Sequence, residues 1–261
     1  MKKMQKIVYV IFVLGGILSE SLYAGGGKED VMPQSFTAAY NNYADLRDRH
    51  AKAHLNDTQR IAEIEAALDN LIQIKEEKYF FYFVELYNFE KFEILNRTDE
   101  KAAYNLLKSM YQSLGDRIST FPYHDVYRLA GDICSRLITF EGSALKLSSE
   151  MKQYYERGLR LNKDNPLLLI GLGNYYLFAP AIGGGSDERA LSFYDEAIKK
   201  NVPYASYMGY IWKAFTYAKK GNQQMVIREL NNALKVFPEG PFALSLLTEA
   251  KEGKDIFKQY R

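Results

Sequence analysis

The sequence predicts an all-α fold built as a solenoid of antiparallel helix pairs. From about residue 35 onward, apolar residues recur at intervals of three and four, which is the period of an α-helix. The chain contains seven prolines, few enough to leave room for long uninterrupted helices. No segment alternates apolar and polar residues between hairpin turns, as strands of an antiparallel sheet do. Serial helix pairs joined by short loops favour an α-solenoid.

The first 24 residues have the features of a cleavable signal peptide. Lysines at positions 2, 3 and 6 precede an apolar run over residues 7–18, which is too short to span a bilayer comfortably. Ala24 offers a cleavage position before Gly25, and no cysteine near it could carry a lipid. We therefore expect a periplasmic or secreted protein. An uncleaved N-terminal anchor is the alternative.

Charge argues against a nucleic-acid partner once this segment is removed. Residues 1–24 contain three lysines and one glutamate, so the formal charge of the remaining chain falls from +2 to zero. A nucleic-acid partner would require a concentrated positive face. Residues 25–34, with three glycines and Pro33, are expected to form a flexible leader. Residues 35–261 are expected to form one helical-repeat domain, with divergent helical pairs over 35–150.

The helices can be placed in order from their periodicity and from their start and stop signals. Asp57 or Thr58 can cap the first clear helix, and Thr98 can cap the third. The segment 78–95 is rich in aromatic residues, which also favour strands, but its spacing and its helical neighbours predict a helix. The predicted helices cover residues 57–74, 78–95, 99–119, 124–140, 146–161, 165–179, 187–200, 204–220, 222–236 and 241–252.

Residues 154–238 contain a repeated pattern of small and aromatic residues. In the first full helix pair of this pattern, the first helix carries Leu169, Leu172, Gly173 and Tyr176. The second helix of that pair carries Ala190, Tyr194 and Ala197. The next pair carries Tyr210, Lys213, Ala214 and Tyr217, then Val226, Leu230, Ala233 and Pro238, and Tyr155 and Gly158 fit the end of an earlier pair. This pattern resembles the tetratricopeptide repeat (TPR) over about a third of the chain. Residues 151–252 are thus expected to form TPR-like repeats and a capping helix.

The resemblance implies a non-enzymatic scaffold that binds a protein or peptide on its concave face, which is formed by the first helix of each pair. Small residues would let the paired helices approach closely, and stacked pairs would bury their apolar faces. A capping helix or the N-terminal half would fill the groove in the competing interpretation. By analogy with the family, the partner-binding groove would consist of Ile170, Asn174, Leu177, Phe178, Tyr207, Met208, Ile211, Phe215 and Lys219.

An insertion at residues 178–187 separates two helices that ordinary repeats join by a tight turn. It contains Pro180 and the consecutive glycines Gly183, Gly184 and Gly185, and Ser186 can cap the next helix. A protruding binding loop and a plain longer connection both remain possible. A phosphate-binding loop is disfavoured, because no lysine follows the glycines and two acidic residues open the next helix.

Candidate catalytic or metal-binding residues are few. His50 and His54 would share a helix face, but no further histidine or cysteine is near enough to complete a metal site. Cys134 is the only cysteine, and its setting favours burial. We therefore predict no cofactor and no enzymatic activity. The first alternative is an accessory subunit of an envelope solute transporter, because some exported TPR proteins have that role. A hydrolase that uses His124 is the least favoured alternative.

Overall fold

The computed structural model describes residues 33–52, 56–71, 74, 76–141 and 144–258, and within them it contains eleven α-helices and no strand. The predicted all-α, TPR-like fold is confirmed. The predicted signal peptide and nearly all of the predicted leader lie outside the described residues. The helices are α1 (Gln34–Lys52), α2 (Asp57–Asn70), α3 (Glu77–Thr98), α4 (Glu100–Arg117), α5 (His124–Phe140), α6 (Ala144–Leu161), α7 (Pro166–Phe178), α8 (Asp187–Lys199), α9 (Pro203–Lys219), α10 (Gln223–Val236) and α11 (Pro241–Lys251).

The described chain divides into two compact units, with the boundary between Asp164 and Asn165. The first unit contains α1–α6, and the second contains α7–α11. A single domain over residues 35–261 therefore stays a prediction.

Local capping side chains set where several helices begin. The side chain of Ser186 accepts a hydrogen bond from the Arg189 backbone N–H at 3.2 Å, as the sequence predicted. Two other caps lie one residue away from the predicted position. Asn56 rather than Asp57 or Thr58 caps α2, because Asn56 and Gln59 satisfy each other's backbone N–H groups in a capping box.

Asp99 rather than Thr98 caps α4. The Asp99 carboxylate accepts from the Ala102 backbone N–H at 3.0 Å. Thr98 is instead the last residue of α3, where its hydroxyl donates back to the Ile94 carbonyl. A short polar side chain next to a helix start therefore predicts the cap to within one residue, and the backbone geometry selects the residue that serves.

The aromatic segment that could also have been a strand forms the helix α3, as predicted. Phe36 of α1 is fully buried, and its ring lies 5.1 Å from that of Phe83 and 5.9 Å from that of Tyr82, centroid to centroid. Phe121, in the turn after α4, packs edge-on against Tyr79 at 5.1 Å. Aromatic rings on most sides of α3 thus make the core of the first unit, which explains why the apolar residues of this helix are not confined to one stripe.

Small and apolar residues are buried at a constant spacing in the second helix of each of four pairs. The spacing is the one that the repeat pattern assigns to Ala190, Tyr194 and Ala197, and all of these residues are fully buried or nearly so. The corresponding residues are Ala103, Leu107 and Met110 in α4, Met151, Tyr155 and Gly158 in α6, and Val226, Leu230 and Ala233 in α10. The structure therefore extends the pattern into residues before 150, where the sequence showed helices without a signature.

The pairs α5–α6 and α7–α8 cross by the same side-chain arrangement. A Cβ atom on Gly173 would lie 2.3 Å from the ring of Tyr194, and a Cβ atom on Gly131 would lie 2.3 Å from the ring of Tyr155. In each pair the tyrosine hydroxyl donates to the residue after the glycine, to Asn174 in one case and to Asp132 in the other, both at 2.8 Å. Glycine is needed at both positions because the tyrosine ring occupies the space of a side chain.

None of the helices in the described residues combines the length and the apolarity needed to cross a bilayer.

Candidate partner-binding surface

The predicted groove residues lie on α7 and α9, in the second unit, and most of them are buried in the packing of that unit. A buried side chain has no free surface to offer a partner unless the structure opens. The buried members are Ile170, Leu177, Tyr207, Met208, Ile211 and Phe215. Whether these residues serve a partner stays a prediction, since no bound partner tests it.

Tyr207 illustrates how burial gives such a residue a structural role. Its ring packs against that of Phe237 at 5.1 Å, and its hydroxyl accepts a hydrogen bond from the Ala243 backbone N–H at 3.1 Å. Gly240 also approaches it so closely that a Cβ atom there would lie 2.6 Å from the hydroxyl. Tyr207 thereby holds the start of the capping helix α11 against α9.

The two polar groove residues are engaged within the same unit. Asn174 accepts the hydroxyl hydrogen bond of Tyr194 at 2.8 Å. The Lys219 ammonium donates to the Leu177 carbonyl at 2.8 Å and to the Asp187 carboxylate at 2.7 Å. Lys219 therefore ties the end of α9 to the end of α7 and to the start of α8.

Phe178 is the exposed member of the predicted groove. Its side chain keeps 43% of its surface accessible although it lies between two other rings. The ring of Trp212 meets it edge to face at 6.0 Å, and the ring of Phe257 stacks on it at 5.7 Å with 18° between the planes. Trp212 and Phe257 were not among the predicted site residues. A single tryptophan in the chain was the one sequence signal that could have singled out Trp212.

The glycine-rich insertion forms an ordered loop. Residues Ala181–Gly183 make one 3-10 turn, and Gly184 follows in the left-handed region at φ 87°. Gly185 passes so close to the Ala179 carbonyl that a Cβ atom would lie 1.8 Å from its oxygen. Two of the three glycines are therefore required by the backbone path.

Hydrogen bonds with α7 fix this loop, and one apolar side chain is exposed on it. The Tyr175 hydroxyl donates to the Gly183 carbonyl at 2.9 Å. Ile182, at the centre of the 3-10 turn, is 99% exposed, whereas Pro180 and the glycines surround it with small or rigid residues. Whether the loop contacts a partner stays a prediction.

The first unit contains a buried ionic network that the sequence analysis did not identify. Arg128 donates to Asp125 through Nε and Nη2 and to Asp132 through Nη1, over 2.5–2.8 Å. Tyr82 donates to Asp125 and Tyr155 donates to Asp132. Burial opposes ionisation of Asp125, but Arg128 outweighs it and lowers the pKa of that carboxyl to about 2. Both oxygens of each carboxylate thus accept a hydrogen bond, which describes a structural network.

Other titratable groups of the first unit are also buried. Burial raises the pKa of Glu93 to about 7, although its carboxylate accepts from Arg136 Nε at 2.8 Å. Burial lowers the pKa of His124, the histidine of the hydrolase alternative, and raises the pKa of Cys134 to about 12. The Cys134 thiol therefore stays protonated, and it is fully buried.

No group of three or more His, Cys, Asp or Glu side chains in the described ranges is arranged to hold a metal ion. Of the histidine pair, His54 and the side chain of His50 lie outside those ranges.

Comparison with known proteins identifies the fold but does not assign the chain to a family. No protein-family model matches the chain, and no curated protein matches it. The solved structure of TTC0263, a thermophilic TPR protein from Thermus thermophilus, aligns with a TM-score of 0.59 and 13% sequence identity. The alignment covers 84% of this chain and 97% of that one. The likeness in fold therefore extends well beyond the third of the chain in which the sequence pattern was legible.

Proposed function

We propose that this chain is an exported, non-catalytic helical-repeat scaffold that binds a protein or peptide partner. The TPR-like fold supports the general role, because stacked helix pairs of this kind commonly serve protein–protein interaction. The proposal places the contact on the face formed by α7 and α9.

The observation that carries this placement is the half-exposed ring of Phe178. It ends α7 beside Trp212, within a set of otherwise buried aromatic rings. Aromatic side chains anchored in a packed setting dominate the binding energy of many interfaces, because they bury a large apolar area at little cost in conformational entropy. Phe178 supplies such an anchor, and Trp212 supplies its support.

Export is a separate part of the proposal and rests on the N-terminal sequence. The lysines and the apolar run of residues 1–24 are features that signal peptidases and translocation machinery read. N-terminal sequencing of the mature protein, purified from the envelope or the medium of a bacterial host, should begin at Gly25. A mature protein that begins at Met1 and fractionates with the cytoplasm would contradict export.

Binding is tested by affinity capture with a matched pair of variants. Phe178→Ala should lower recovery of a defined partner at least tenfold, since loss of a hot-spot side chain costs about 2 kcal/mol or more of binding energy. Phe80→Ala is the control, because Phe80 is similarly exposed but lies in the first unit. Phe215 and Asn174 suit this test less well: one is fully buried and the other holds Tyr194, so replacing them would also disturb folding. Equal recovery by both variants would contradict the placement.

The transporter-accessory role stays an alternative within the same fold. Purified protein that retains an apolar small molecule in native mass spectrometry would favour it, and consistently empty protein would count against it.

A further inference from the structure

The segment after α11 turns back onto the proposed binding face. Gly253, at φ 77°, lies just beyond the C-cap of α11, and the Lys254 backbone N–H donates to the Glu249 carbonyl at 3.0 Å, which reverses the chain. Asp255 then accepts from the Phe257 N–H at 2.9 Å through its side chain. This tight turn places Ile256 and Phe257 against the unit, where they are 1% and 3% exposed.

Phe257 belongs to a continuous series of rings. It stacks on Phe178, which meets Trp212 edge to face, and the Trp212 ring lies 5.3 Å from that of Phe215 on the same helix. We call the rings of Phe178, Trp212 and Phe215 the aromatic seat. Phe257 of the chain itself thus already covers the Phe178 end of the seat, and the adjacent Ile256 is buried in the same unit.

Two features indicate that the chain's own segment neither covers the aromatic seat completely nor pairs all of its polar groups. Phe178 keeps nearly half of its surface exposed despite the ring stacked on it. The Nε1–H of Trp212 is buried and has no hydrogen-bond acceptor among the described residues. A buried donor left unpaired is unfavourable, and a hydrogen bond to a backbone carbonyl of another segment would remove that cost.

We infer that the aromatic seat binds a partner segment that carries an adjacent aliphatic and aromatic residue, and that Ile256 and Phe257 occupy the seat in its place. The inference rests on the proposed function, to which it adds the chemistry of the partner and a competing segment of this chain. The partner's aromatic ring replaces Phe257 on Phe178, and a carbonyl of the partner accepts from Trp212.

Ile256 and Phe257, which we call the resident pair, have an advantage over a free partner segment because they are covalently attached to the seat. A segment joined by a short connection is present at an effective concentration in the millimolar range. A free peptide of the same sequence therefore binds the wild-type protein weakly, and it binds more tightly when the resident pair is removed.

The chain offers a direct probe of the seat, because Trp212 is its only tryptophan. Phe257→Ala in the full chain should expose Trp212 and shift its fluorescence to longer wavelength. Titration with the peptide Glu-Gly-Lys-Asp-Ile-Phe-Lys, which is residues 252–258, should reverse the shift with saturation. The apparent affinity should be at least tenfold tighter for Phe257→Ala than for the wild type. Phe80→Ala, with an intact seat, should behave as the wild type does.

A peptide with alanine in place of both isoleucine and phenylalanine is the specificity control and should not saturate. Circular dichroism checks that Phe257→Ala keeps its helices. Should this variant unfold, hydrogen exchange of the wild type at saturating peptide gives the same information, since displacement should raise exchange of residues 254–258. Equal affinity for wild type and variant, equal binding of the control peptide, or unchanged exchange would overturn the inference.

Partner capture separates this inference from the proposed function. If the partner competes with the resident pair, Phe257→Ala should recover more of it than the wild type does, whereas Phe178→Ala recovers less. Unchanged recovery by Phe257→Ala together with loss by Phe178→Ala would overturn the inference and leave the function standing. Concentration-dependent dimers that dissociate on adding the peptide would make a second copy the occupant, and this too would overturn it. Failure of every variant and of the wild type to capture a partner would contradict the function itself.

Discussion

The two units use the same helix crossing but fill the space around it with different chemistry. Gly131 against Tyr155 in the first unit matches Gly173 against Tyr194 in the second, with the tyrosine hydroxyl bonded to the residue after the glycine in both. In the first unit that residue is Asp132, which belongs to the buried network of Arg128. In the second it is a neutral asparagine.

This difference explains why the repeat was clear in the second unit, whereas in the first unit only Tyr155 and Gly158 of α6 fitted it. The second unit has Leu-Gly before its tyrosine partner, as the repeat pattern requires, whereas the first has Ala130 and Gly131 followed by an ionisable residue. Packing geometry depends on the small residue and the ring, so it survives the change. The helix crossing therefore has the same close contact in both units. The residues around it differ, so the sequence pattern of the repeat is harder to recognise in the first unit.

The largest expected effect comes from breaking the ionic network. Arg128→Ala leaves the buried carboxyls of Asp125 and Asp132 without their cation, which should lower the free energy of unfolding by about 3–5 kcal/mol. Urea denaturation followed by circular dichroism measures it, with hydrogen exchange to locate the loss in residues 33–164. Arg97→Ala, which removes an exposed ion pair to Asp57, should cost less than about 1 kcal/mol. A similar loss for both variants would show that burial of the network does not matter.

The second effect concerns pH. Burial raises the pKa of Glu93 from 4.5 to about 7, so the folded state retains a proton that the unfolded state releases. The contribution of Glu93 to wild-type stability should therefore fall as the pH rises from 4.5 to 7. Glu93→Gln has no such proton, and its stability relative to wild type should rise by up to about 3 kcal/mol over that interval.

Unfolding curves at several pH values check the Glu93 prediction. A constant difference between Glu93→Gln and wild type from pH 4.5 to 7 would refute the raised pKa.

The third test compares the two crossings directly. Gly131→Ala and Gly173→Ala each push a Cβ atom into a tyrosine ring, and each should cost about 1–3 kcal/mol of stability. Gly115→Ala is the matched control, because Gly115 lies in α4 with nothing within 4 Å of the added atom. That variant should gain about 0.5–1 kcal/mol from helix propensity. A large loss at only one of the two crossings would break the equivalence of the units.

The smallest effect comes from the helix caps, which should not distinguish the units. Asp99→Ala in the first unit and Asn222→Ala in the second each remove one acceptor from a helix start. Each should cost about 1 kcal/mol, and glycine at the same position should restore most of the loss. Thermal denaturation of the four variants measures this. Losses that differ strongly between the units would mean that the caps depend on their tertiary surroundings.

The sequence by itself determined the helical period, the approximate ends of the helices, and the small residues at the crossings of α7–α10. These features are local, because each depends on residues within one or two helical turns. The insertion with Ser186 as a cap was predictable for the same reason. The predicted groove residues lie on α7 and α9, and their role in binding stays a prediction.

Only the tertiary structure decided which of those residues are accessible. Tyr207 is covered by α11, and Phe178 is covered in part by Phe257, which lies far along the chain from it. The bonds of Tyr82 and Tyr155 to the Arg128 network likewise join distant segments. Burial and hydrogen-bond partners follow from which segments meet in space, and a periodic pattern specifies that a face is apolar without specifying what covers it.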